Sequence, residues 1–187
     1  MILIEPESLG DAEAVEALIA ACFGPGRHAK AASRLRERLS PVSELSYVAR
    51  ADGAVCGSLR FWPVLIGGRP SLLLGPLAVN PMLRGRGAGI GLMMVALARA
   101  AALGHRAVVL VGDEPYYARV GFRKADSGRF QLEWPVDPSR LLIRELMPGA
   151  LEGAHGAITP DPRGLTAFAV PGEREETARE KKRKRRR

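Results

Sequence analysis

A mixed α/β fold, with a central mixed sheet flanked by helices, is the class this sequence predicts, on three observations. The apolar run Leu77-Ala78-Val79 enters a turn rich in glycine and arginine, followed by a helical stretch and a second apolar run, Ala107–Val111. Strand, helix and buried strand in succession imply a parallel crossover, right-handed by the usual rule. Upstream, Asp52-Gly53 and Gly67-Gly68 each separate two strand-like segments, the signature of an antiparallel meander. Amphipathic helical periodicity precedes both. At 187 residues the chain suits one domain with a proper core.

The elements follow in order. Asp11 is placed to cap a helix whose Val15, Leu18, Ile19 and Cys22 recur at three- and four-residue steps, and Gly24-Pro25-Gly26 ends it. Ala29 to Leu39 reads as a second helix, with a thin stripe of Ala32, Leu35 and Leu39 and a solvated face of Arg34, Arg36, Glu37 and Arg38. Strands are expected at Tyr47–Arg50, Ala54–Phe61, Val64–Ile66, Ser71–Leu74 and Leu77–Val79. A helix runs from Gly87 to about Leu103, with Leu92, Ala96, Ala100 and Leu103 on one side and Gly104 as its stop. Ala107–Val111 is a strand covered on both faces. Glu114 to Arg119 is a short helix, Phe122 opens another strand, and Phe130–Trp134 and Leu141–Leu146 are late strands, the last ambiguous with helix. Pro160, Pro162 and Pro171 mark a loosening end.

The net charge of +8 suggests nucleic acid until it is located. Seven of the 28 basic residues are Lys181–Arg187, and the other 21 nearly balance 20 acidic ones, a net of +1. Residues 1–172 are therefore expected to form the domain, and 173–187 a flexible charged tail whose polybasic run can contact RNA or the ribosome. No apolar run approaches the roughly 20 residues of a membrane span, and the opening Met1-Ile2-Leu3-Ile4 lacks the form of a signal peptide, so a cytoplasmic protein is expected. Cys22 and Cys56 make neither a disulfide framework nor a metal site and read as buried fillers. No metal is expected.

The turn Asn80-Pro81-Met82-Leu83-Arg84-Gly85-Arg86-Gly87-Ala88-Gly89 carries the chemistry. It leaves backbone N–H groups unpaired at a helix start, where the helix dipole and two arginines add positive charge. That geometry suits a phosphate-bearing ligand. A P-loop is excluded, since Gly-Lys-Ser/Thr occurs nowhere; a dinucleotide fingerprint lacks its third glycine, the positions holding Ile90 or Leu92. Arg84, Gly87 and Gly89 instead form Arg-x-x-Gly-x-Gly, and Tyr117-Ala118-Arg119-Val120-Gly121-Phe122 follows about thirty residues later.

Together these two motifs resemble the GNAT superfamily of acetyl-CoA-dependent N-acetyltransferases. Leu74–Val79, Leu110–Tyr117 and Glu145–Leu151 are similar to its YhbS-type bacterial subgroup. The close match covers residues 74 to 125, with a looser one to about Ala157. The resemblance implies splayed central strands that hold the coenzyme, with the pantetheine arm along Leu77, Ala78 and Val79. It implies that Arg84 and Arg86, with the amides of Gly85, Gly87, Ala88 and Gly89, grip the pyrophosphate. It also implies acetyl transfer to a primary amine in a ternary complex, Val79 N–H serving the thioester carbonyl and Tyr117 acting as general acid to the departing thiolate.

Tyr116 competes for that last role, although only Tyr117 keeps the three-residue gap to Gly121. Asp113, Glu114, Glu44 and His28 are candidate bases, and no spacing selects among them. Arg60, Phe61 and Trp62 are placed where such proteins line an acceptor groove. The alternative from another class is a catalytically quiet acyl-CoA-binding module tethered to RNA by the basic tail.

Overall fold

A computed structural model describes residues 1–25 and 31–164. Nine strands form one sheet in the order β1-β2-β3-β4-β5-β8-β6, and β9 joins β3 to β7 off that path. The first four strands are the predicted meander plus one addition. β2 (Tyr47–Ala51) and β3 (Ala54–Ile66) meet at Asp52-Gly53, where φ is 50° and 81°. β3 and β4 (Arg69–Val79) meet at Gly67-Gly68, with φ of 53° and 77°. Two successive left-handed residues match the twist of the flanking strands. Gly67 is held to glycine twice over, since a Cβ there would lie 2.8 Å from the His155 backbone.

β3 is continuous through Trp62-Pro63, where the sequence suggested a break. The addition is β1 (Ile2–Pro6), an edge strand antiparallel to β2 with Ile4 opposite Ala49. β5 (Ala107–Val111) pairs in parallel with β4, as the crossover requires, and antiparallel with β8 (Leu141–Glu145). β6 (Arg123–Lys124) pairs with β8, and Phe122 is buried just ahead of it. β7 is Phe130–Leu132. Ahead of the expected loosening lies a strand that the sequence did not announce: Gly156–Pro160 is β9, with Ile158 opposite both Ile66 and Leu132, and Pro160 is its last residue.

One sheet face is covered by α3 (Ala88–Ala102), which buries Leu92, Met93, Ala96, Leu97 and Ala100 against Leu59, Phe61, Leu74 and Leu110. Leu103 was expected on that face but is 41% exposed, because α3 ends one residue earlier and Gly104 turns the chain away. The opposite face carries α1 (Ala12–Phe23), whose Val15 and Ile19 pack on Val48 and Ala78. Farther along that face, α2 (Ala31–Arg34) and the turn after it bury Leu35 and Leu39 against Val64, Ile66 and Leu73. The second helix is shorter than its pattern predicted, and Gly26–Lys30 lies outside the described residues. After Arg34 the backbone tightens to three-residue bonds, Arg36 N–H to Ser33 O and Leu39 N–H to Arg36 O, which aims both leucines at the sheet.

Asp11 precedes α1 but does not cap it with its carboxylate. The side chain turns back to accept from Ser8 N–H at 2.9 Å and Ser8 Oγ at 2.8 Å, and it receives Arg50 Nη2 at 2.6 Å. Those bonds, the Ser8 amide foremost, hold its carboxyl at about 2, below the ordinary 3.8. Asp11 is only 5% exposed. The lowered value means that the folded state binds this proton less readily than the unfolded chain. Its stabilisation is therefore complete above about pH 3.8 and is lost as pH falls through about 2. Asp11→Asn should be less stable than the parent at pH 5, with the difference shrinking toward pH 2, as read by urea midpoints at the two pH values.

Candidate functional site

The slot begins where two strands part. Parallel pairing of β4 with β5 is confined to Leu72 with Val108 and Leu73 with Val109, so the strands splay beyond Leu74. The cause is a bulge: Leu74 stands opposite Phe61, but Leu77 opposite Leu59, so Gly75-Pro76 faces the single residue Arg60. The extra residue resets the alternation of β4. Leu74, Leu77 and Val79 all pack toward α3, and Ala78 toward α1.

Backbone groups follow the same logic. Asn80 N–H bonds Cys56 O at 2.8 Å, which makes that pair a hydrogen-bonded one of the β3–β4 ladder. By alternation Ala78 also bonds toward β3, whereas Leu77 and Val79 turn their N–H and C=O toward the gap. Val79 O accepts from the Cys22 thiol at 3.4 Å, which ties α1 to the strand end and leaves the Val79 N–H as the donor there.

The glycine turn closes one end of the slot. Asn80 Oδ1 accepts from Met82 N–H at 3.0 Å and starts a tight turn over Pro81–Leu83. Gly85 and Gly87 have φ of 79° and 86°, which a side chain would resist. Gly87 supplies no capping side chain, and the first helical bond runs from Gly91 N–H to Gly87 O. The N–H groups of Ala88, Gly89 and Ile90 therefore have no partner within the helix. Arg84 and Arg86 are exposed beside them, and neither pairs with a carboxylate among the described residues.

α4 (Glu114–Tyr117) closes the other side, starting just past the end of β5. A tight turn over Ala118–Val120 and Gly121, at φ 81°, bring Phe122 back so that its N–H bonds Tyr117 O at 3.2 Å. This explains the Tyr-x-x-x-Gly-Phe spacing. The Tyr117 ring stands edge-on to Phe122 at 6.1 Å and to Tyr116 at 5.2 Å, and it lies so close over Gly112 that a Cβ there would collide with it. Burial, with smaller contributions from Tyr116 and Asp113, pushes the Tyr117 phenol up to about 12. Tyr116 is different: its hydroxyl lies over Gly89, where a Cβ would strike it. The two tyrosines thus occupy different stations, one at the end of β5 and one above the start of α3.

The candidate bases have different surroundings. Asp113 pairs with Arg140 at 3.2 Å and Glu114 with Lys124 at 3.1 Å. Glu44 feels Arg99, in the last turn of α3, and His105, just beyond that helix, roughly 22 Å from the α3 start at 1.5 Å per residue. Glu44 therefore lies away from the slot, at the opposite end of α3. His28 lies outside the described residues.

On the α1–α2 face the expected lining divides. Phe61 points into the core and is fully buried, while Arg60 and Trp62 share the other face. Arg60 bonds Glu7 through both Nε and Nη2 and Glu16 through Nη1 at 3.0 Å. Trp62 Nε1 donates to Gly75 O at 2.5 Å, and the Arg36 guanidinium lies 5.6 Å over the indole. Arg36 is the residue that sequence reasoning missed. Its place in a charged helical stretch gave the signal of a solvated face, and only the tightening of the chain after Arg34 brings it onto β3. Two surface depressions, one at Gly67-Gly68 and one around Phe130 and Trp134, share no residue with this slot.

The model of the acetyltransferase (GNAT) family matches residues 12–122. The N-acetyltransferase YhbS of Escherichia coli (strain K12), described as uncharacterized, is 33% identical over 160 residues, 84% of this chain and 95% of that protein. The crystal structure of Escherichia coli YhbS in complex with CoA superposes with a TM-score of 0.73 at 32% identity, over 86% of this chain and 89% of that one. A GNAT family acetyltransferase from Brucella melitensis, solved with acetyl-CoA, gives a TM-score of 0.63 at 27% identity, over 87% and 97%.

Proposed function

The chain belongs to the acetyltransferase (GNAT) family, and on that footing we propose that it moves the acetyl group of acetyl-CoA directly onto a primary amine within a ternary complex. The observation that carries this reading is the slot itself. A β4–β5 contact of two residue pairs opens beside the outward groups of Leu77 and Val79 and ends at the unpaired N–H groups of α3. No second reading is favoured by a specific observation, and the basic tail Lys181–Arg187 lies outside the described residues.

Each group has a task. Arg84 and Arg86, with the amides of Gly85, Gly87, Ala88 and Gly89, hold the pyrophosphate by charge-assisted hydrogen bonds. Leu77, Ala78 and Val79 receive the pantetheine arm as an added strand. Bound acetyl-CoA supplies an activated acetyl group as a thioester. Val79 N–H stabilises the carbonyl oxygen as it gains negative charge. The neutral amine forms a C–N bond as the C–S bond breaks, and Tyr117 gives its phenolic proton to the departing sulfur. The proton shed by the amine restores the phenol, directly or through water. Because burial keeps that phenol protonated to about pH 12, it is a donor throughout the neutral range.

The test is a panel of amines incubated with the full chain and acetyl-CoA, with release of free thiol as the readout. Thiol release that depends on a particular amine is the expected result. No release with any amine, and no calorimetric heat on adding acetyl-CoA, would overturn the reading.

A further inference from the structure

Arg36 is an odd residue to find against a sheet. Its Nη2 donates to Ser33 Oγ at 3.0 Å, its plane lies over the Trp62 indole, and no carboxylate pairs with it among the described residues. The neighbouring acids Glu7 and Glu16 are both bonded to Arg60. Burial, with repulsion from Arg60 and only partly opposed by Glu16, lowers the Arg36 guanidinium to about 10. A half-buried cation with no ion-paired carboxylate among the described residues is costly, and the indole and the more distant Glu16 offset only part of that.

Its position gives the cost a use. Trp62 is pinned by Nε1 to Gly75 O, and Arg36 Nη1 lies 4.0 Å from where a Gly75 Cβ would stand. Gly75 belongs to the bulge at which β4 leaves β5, two residues before Leu77. The guanidinium is therefore held at the mouth of the slot, on the face opposite α3. A single planar cation with one edge spoken for by Ser33 retains donors for one planar anion.

Resting on the acetyltransferase reading, we propose that Arg36, braced on Trp62, receives a carboxylate of the acceptor, so that the acceptors are small amines that carry a carboxylate, as amino acids do. Arg36 acts in specificity: it fixes the acid end of the acceptor while the amine end faces the thioester.

The two tryptophans are Trp62 and Trp134, so a Trp134→Phe background isolates the Trp62 emission. In the presence of CoA, that protein is titrated with N-acetyl derivatives of the amino acids other than tryptophan, tyrosine and proline, and with their carboxamides. Each pair has the same shape apart from the charge. The expected result is at least one acid bound at least tenfold more tightly than its amide, as a charge-assisted bidentate contact implies. Arg36→Gln should erase that preference while leaving acetyl-CoA affinity unchanged.

Equal binding of acids and amides across the panel, no binding by either, or a preference that survives Arg36→Gln would overturn the proposal. Should Arg36→Gln fold poorly, the comparison of acid with amide in the parent still decides. Calorimetry with acetyl-CoA separates the two failures. Coenzyme binding without an acid preference sinks the carboxylate site alone, whereas no coenzyme binding sinks the acetyltransferase reading beneath it.

Discussion

Tyr117→Phe should lower kcat by about 10²-fold while leaving acetyl-CoA affinity nearly unchanged, the pattern of a group that acts only as the C–S bond breaks. The substitution is clean because the ring does the packing. It stands edge-on to Phe122 and covers Gly112, and phenylalanine keeps both contacts. Only the hydroxyl is lost. Because that hydroxyl ionises at about 12, the parent kcat should show no alkaline fall from Tyr117 below about pH 10. Tyr116→Phe is the control: its hydroxyl lies over Gly89, at the start of α3, so any effect should fall on coenzyme affinity rather than on kcat. Steady-state kinetics with a competent amine, alongside calorimetry, distinguishes the two. An unchanged kcat in Tyr117→Phe would remove that residue from the chemistry.

Reversing both charges of the glycine turn, Arg84→Glu with Arg86→Glu, should weaken acetyl-CoA binding by about 10²-fold or more, since each charge-assisted bond to phosphate contributes roughly 1.5–3 kcal/mol. The melting temperature should hardly move, because both side chains are exposed and neither is ion-paired among the described residues. Salt should reproduce the effect in the parent by screening these charges. Pantetheine, which has no pyrophosphate, should bind the variant and the parent alike. A variant that keeps full acetyl-CoA affinity would place the diphosphate elsewhere.

What the sequence made legible is tied to glycine and to local periodicity. Asp52-Gly53, Gly67-Gly68, Gly87, Gly104 and Gly121 each stand where the backbone takes a positive φ, so both hairpins, the α3 boundaries and the turn into Phe122 were readable. The run Ala107–Val111 was readable because nothing polar interrupts it. What escaped depends on partners distant in the chain. β1 finds its pairing about 45 residues later and β9 about 90 residues earlier, and neither segment shows a pattern of its own. Of the site, the two motifs were readable because Gly87 and Gly121 set the turns that define them. The Glu44 candidate failed because spacing in sequence says nothing about which end of α3 a loop lies against. Arg36 escaped because its burial comes from three-residue turns that no charge pattern announces.

The two-for-one bulge of β4 has a consequence for how this chain divides its labour. Just upstream of Gly75, at Leu72 and Leu73, the strand is a structural rib, paired on both edges and buried. Downstream, the same continuous strand keeps β3 as its neighbour and has no strand on its second edge among the described residues. A single inserted residue thus divides one strand into a rib shared by three strands and an edge left without a strand partner. Tolerance to change should be divided along the same line, with side-chain volume governing the first half and main-chain geometry the second.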